Sequence, residues 1–96
     1  MAAIANILVV DDRADKLLVL RSLLEPLGQN VILANSGEEA LKQMLENEFA
    51  VILMDVNMPT MDGLETAALI RNRRKTAHTP IIFITAYADE MHPARG

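Results

Sequence analysis

Apolar and polar positions alternate along this chain in two different rhythms. Ile7-Leu8-Val9-Val10, Val31-Ile32-Leu33, Val51-Ile52-Leu53-Met54 and Pro80-Ile81-Ile82-Phe83-Ile84-Thr85 are short, unbroken β-rich runs. Between them the apolar residues follow a helical period. Leu17, Leu20, Leu24 and Leu27 recur at helical spacing, with Leu23 widening the stripe, and Pro26 and Gly28 mark the stop. Ser36-Gly37-Glu38-Glu39 reads as a capping box that opens a second helix carrying Leu41, Met44 and Leu45. A third helix is predicted from Leu64 to Lys75, with Arg71, Arg73, Arg74 and Lys75 suited to its C-terminus.

The order is therefore strand, helix, strand, helix, strand, helix, strand. Strands that are apolar throughout, rather than alternating, are those covered by helices on both faces. The predicted class is α/β, an open parallel sheet joined by right-handed crossovers.

At 96 residues the chain is long enough for one domain with a real core. With 51% hydrophobic residues it is not a disordered segment. Its net charge of −4 gives no long-range attraction to nucleic acid or anionic membrane. The absence of cysteine excludes disulfides, thiol catalysis and zinc–thiolate sites. The opening residues MAAIANILVV have neither a basic n-region nor a span-length apolar run, so a cytoplasmic domain is expected.

In an open parallel sheet, ligands bind beyond the carboxyl ends of the strands. The first run ends on Asp11-Asp12, the third on Asp55 and the fourth on Thr85. If the first and third strands are neighbours, three carboxylates converge. Such acids repel one another and resist desolvation, which a cation among them would offset. Oxygen donors without His or Cys suit Mg2+ or another hard divalent ion such as Mn2+. A Thr85 hydroxyl would add a donor for an anionic ligand. Each acid alone could equally be a turn or cap residue.

Other chemistry is poorly served. The glycines form neither G-x-G-x-x-G nor a phosphate loop. His78 and His92 lack ligand spacing, and Ser22 and Ser36 have no arguable triad. Asp62-Gly63 reads as a turn before a helix. The basic run Arg71–Lys75 has no interleaved aromatics and reads as a solvated helix end, and the methionines as core filler.

The segments ILVVDD, ILMDVNMPTMDG and PIIFITA, in that order and at these separations, resemble the receiver domain of two-component response regulators and hybrid histidine kinases. GEEAL at 37–41 fits as well. The resemblance runs from Ile7 to Tyr87 and implies a flavodoxin-like receiver fold with strand order 2-1-3-4. It implies that Asp55 accepts a phosphoryl group from a phosphohistidine on a sensor histidine kinase or histidine phosphotransfer domain. Asp12, Asp55 and the backbone carbonyl of Asn57 would hold Mg2+ directly, with Asp11 acting largely through a water, and Thr85 would be the switch hydroxyl. Asn57 and Tyr87 would tune the lifetime of the aspartyl phosphate.

Receivers normally continue into a fifth strand, which begins with a lysine, and a fifth helix. Neither falls within 1–96, and Lys16, Lys42 and Lys75 do not stand where that lysine belongs. The expectation is a single receiver domain over 1–96, truncated before the fifth strand, with its output region beyond Gly96. The Ile81–Ile84 strand would be an apolar edge open to homodimerisation. Two rival readings are a Mg2+-dependent aspartate-nucleophile phosphohydrolase and a degenerate, purely interacting receiver-like domain. The phosphohydrolases usually carry an Asp where this chain has Asn57.

Overall fold

The computed structural model describes residues 4–84. Four parallel strands run β1 (Asn6–Val10), β2 (Asn30–Ala34), β3 (Val51–Asp55) and β4 (Ile81–Ile84). Three helices join them: α1 (Ala14–Leu24), α2 (Gly37–Glu46) and α3 (Gly63–Arg71). The sheet order is β2-β1-β3-β4, so the first crossover moves one way from β1 and the next returns past it. No helix among the described residues is long and apolar enough to cross a membrane.

The sheet is covered unequally on its two faces. Leu17, Leu20 and Leu24 of α1 pack on Ile7, Val9, Val31, Leu33, Val51 and Leu53. Ala40, Leu41 and Met44 of α2 and Ile70 of α3 pack on Leu8, Val10, Ile32, Ala34, Ile52, Met54 and Ile81. Successive strand residues point to opposite faces, so a strand enclosed by both layers must be apolar throughout. Leu8, Val9 and Val10 are at most 1% exposed, which is why β1 has no polar alternation.

The helical stripe is narrower than its leucines suggest. Leu23 and Leu27 are exposed, as is Leu45 of α2. At 100° per residue Leu23 sits far round the helix from Leu17, and only the positions 17, 20 and 24 share the inward face. Leu27 lies past the helix, in a 3-10 turn over Glu25–Leu27 that Gly28 closes at φ 79°. The third helix is also shorter than predicted. It stops at Arg71, Arg73 is extended, and residues Arg74–Thr76 form a separate 3-10 turn. The basic run is thus mostly connection. Arg71 Nη1 donates to the carbonyl oxygens of Thr76, Ala77 and Thr79, tying that connection into the approach to β4.

Two helix starts differ in detail from the reading of the sequence. Ser36 Oγ accepts from Glu39 N at 3.0 Å, but Glu39 Oε1 reaches back one residue further, to Asn35 N at 2.7 Å. The complete capping box lies at α3. Asp62 Oδ1 accepts from Glu65 N at 2.8 Å and Glu65 Oε1 accepts from Asp62 N at 3.0 Å. Asp62 is therefore an N-cap, one step more specific than the turn expected of Asp62-Gly63. Met44, Met54 and Met58 are buried in the core as expected of filler, and His78 is exposed.

Candidate acidic site at the carboxyl edge of the sheet

β1 and β3 are neighbours, in a register that pairs Val10 with Met54. The next residue on each strand is an aspartate. Asp11, Asp12 and Asp55 each offer a carboxylate oxygen, and these oxygens all lie within 4.8 Å of one another. The convergence expected from the strand ends is thus present.

The acids differ in exposure. Asp11 is 1% exposed and Asp55 6%, while Asp12 faces solvent. Asp11 N continues the sheet ladder to Ala34 O at 3.1 Å. Its Oδ1 accepts from Arg13 N at 2.9 Å, which turns the chain into α1. Its Oδ2 is buried and has no hydrogen-bond partner. Lys16 Nζ stands 3.1 Å from that oxygen, an ion pair without hydrogen-bond alignment. Arg13 turns the other way, to Asp15 at 3.0 Å, in an exposed pair that contributes little.

Asp55 closes β3 and begins the loop to α3. Burial pushes its carboxyl above the ordinary carboxylate range, and the Asp11 charge adds to this. The Lys16 ammonium and the backbone N–H of Asn57 pull it back. The loop is held from below by buried Met58 and closed by Gly63 N donating to Val56 O at 2.8 Å. Thr60 takes φ 69° to make the turn. Gly63 is required here, because a Cβ would meet the Asp55 carbonyl oxygen and come within 2.9 Å of Val56 Cα. The capping of α3 therefore presses its first residue against the backbone that carries Asp55.

A buried carboxylate oxygen without a hydrogen-bond partner, amid an all-oxygen donor set, fits a hard divalent cation such as Mg2+, which binds through one or two carboxylates and keeps several waters. Asn57 is exposed and follows Asp55 by two residues. Thr85 and Tyr87 lie outside the described residues. The residue missed by reading the sequence is Lys16. Its signal was a cation in the first turn of a helix, the end that disfavours positive charge.

Comparison with known proteins agrees with this geometry. The family profile of the response regulator receiver domain matches residues 7–96. The chain is 38% identical over 83 residues to the signal transduction histidine-protein kinase BarA of Escherichia coli (strain K12), covering 86% of this chain and 9% of that protein. It is 39% identical over 91 residues to the transcriptional regulatory protein CpxR of the same strain, covering 95% and 38% respectively. The chain spans well under half the length of these curated relatives. Among solved structures, the response regulator TrrA of Thermotoga maritima, in complex with Mg2+–BeF, superposes with a TM-score of 0.81. It shares 35% identity, over 93% of this chain and 76% of that one.

Proposed function

The chain belongs to the response regulator receiver domain family, and we propose that it is the phosphoacceptor module of a two-component relay, with Asp55 as acceptor. The observation that carries this reading is the Asp55 carboxylate at the end of β3, within 4.8 Å of Asp11 and Asp12 oxygens. An oxygen of Asp55 forms a bond to phosphorus as the P–N bond of a partner's phosphohistidine breaks. The imidazole nitrogen leaves with the electron pair and then takes a proton from water. Little other covalent work falls to the protein; alignment and charge neutralisation dominate phosphoryl transfer.

Asp11, Asp12, Asp55 and the Asn57 carbonyl would hold Mg2+. Bound there, the ion would offset the carboxylates and the phosphoryl charge. The fit of the oxygen donors supports this, as does the Mg2+ reported for the TrrA relative. Thr85 would take a hydrogen-bonding role toward the phosphoryl group, and Asn57 and Tyr87 would set access to it. The module acts on itself rather than on a diffusible substrate.

The donor is a sensor histidine kinase or a histidine phosphotransfer domain, and the signal passes to an output region of a longer protein. That relatives include both a kinase and a transcriptional regulator supports a module that reports to different outputs. Self-association along Ile81–Ile84 belongs to the same reading. It is supported by Ile82 and Phe83, 54% and 41% exposed, and is tested by light scattering, where a monomer at high concentration overturns it.

The phosphoacceptor reading is tested by intact mass after incubation with Mg2+ and acetyl phosphate, with Asp55→Asn in parallel. Gain of one phosphoryl group, absent in the variant, is expected. No gain, or gain in both, overturns Asp55 as the acceptor of this chain.

A further inference from the structure

Lys16 is the third residue of α1, and its position is not explained by the helix. Backbone N–H groups at a helix N-terminus favour anions, so an ammonium there is opposed by the local field. The side chain nevertheless points back along the helix to the acid cluster, as helical side chains do. Nζ lies 3.1 Å from Asp11 Oδ2, the buried oxygen that no hydrogen bond satisfies. The Lys16 side chain is 30% exposed, against 1% for Asp11. The carboxylate cannot leave, whereas the ammonium can withdraw into water without being stranded.

We infer that Lys16 is a tethered counter-ion of the acid cluster, holding Asp11 when no divalent cation is bound and retreating when one binds. Resting on the proposed cation site, this assigns Lys16 as a positioning residue that sets the site's affinity. Two effects act in one direction. The ammonium occupies an oxygen the divalent ion needs, and its charge repels that ion. In return, the ion-free protein avoids an uncompensated buried carboxylate. Beyond its contact with Asp11, the Lys16 charge also acts on Asp55, consistent with a charge that serves the whole cluster.

The test is calorimetric titration of the purified chain with Mg2+ alone. It compares the unaltered protein with Lys16→Met, Lys16→Gln and Lys16→Arg. Lys42→Met, at an exposed position on α2, changes the net charge equally and serves as control. Removing the ammonium should tighten Mg2+ binding by about three- to fivefold, the upper size of a partly exposed ion pair. Lys16→Arg should stay near the unaltered protein and Lys42→Met within about twofold of it. In EDTA, Lys16→Met and Lys16→Gln should melt below the unaltered protein, and saturating Mg2+ should abolish that difference. A merely structural lysine would lower the melting point with and without Mg2+ and would not tighten binding.

Binding by the unaltered protein that is unchanged or weakened in Lys16→Met and Lys16→Gln overturns the inference and leaves the cation site standing. Absence of Mg2+ binding in every chain overturns both. Should Lys16→Met not fold, Lys16→Gln, which keeps a polar side chain, decides between the outcomes.

Discussion

Val10 pairs with Met54 in the parallel register of β1 on β3, and this single pairing sets Asp11 beside Asp55. Neither acid is local to the other in sequence. Their proximity follows from a register that side-chain packing on both faces of the sheet enforces, because a slip by one residue would send Leu8 and Ile52 to the wrong layer. The same register makes the acids costly to each other, and the consequences can be measured.

Asp55 holds its proton to higher pH in the folded chain than an ordinary carboxyl does, because it is buried and faces Asp11. Its contribution to stability is therefore fully present below the unfolded-state value and is lost as pH rises through the raised folded value. Asp55→Asn removes the charge while keeping the shape. In EDTA at neutral pH the variant should melt higher by about 2–5 °C, and the gap should close on acidification below about pH 4. Circular-dichroism melts over a pH series check this. A gap that widens toward acid would contradict the assignment of burial as the dominant cause.

Divalent cation should stabilise the chain in proportion to its affinity. Mg2+ at about 100 times its dissociation constant adds about 2.7 kcal/mol to a state that alone binds it. Thermal melts with and without EDTA should show this gain in the unaltered chain and its loss in Asp11→Asn, whose buried oxygen would no longer carry charge. Equal gains in both proteins would place the cation elsewhere.

Gly63→Ala should damage both stability and the site. The new methyl meets the Asp55 carbonyl oxygen and Val56 Cα, which are backbone atoms that cannot swing aside as a flexible side chain could. A cost on the order of 2–3 kcal/mol is expected, within the range for overpacking. Urea unfolding measures it, and phosphorylation by acetyl phosphate should fall with it. A variant as stable as the parent would mean that the loop after β3 is not seated against α3.

Thr60→Gly should act in the opposite sense. A β-branched residue at φ 69° occupies a conformation that costs L-residues roughly 1–2 kcal/mol and glycine almost nothing. Allowing for glycine's greater unfolded-state entropy, a net gain of about 0.5–1 kcal/mol is expected in the same urea experiment. Loss of stability would show that the Thr60 side chain contributes more than its backbone strains.

The alternation of strands and helices, the α/β class and the acids at strand ends were legible in the chain itself. Each depends on periodicity or composition within a few neighbouring residues, and short-range forces express those locally. The family resemblance was legible too, because its motifs are short contiguous segments around Asp11, Asp55 and Pro80. The end of α3 at Arg71 and the exposure of Leu23, Leu27 and Leu45 were not. A leucine's inward or outward place depends on where the helix docks, and propensity carries no such direction. Likewise, Asp62 read only as part of a turn, and its role as an N-cap emerged when Glu65 was seen to return its hydrogen bond. Most of all, the adjacency of β1 and β3 and the reach of Lys16 to Asp11 belong to the tertiary structure. Charges act through space, and only the packed sheet decides which of them share a few ångströms of it.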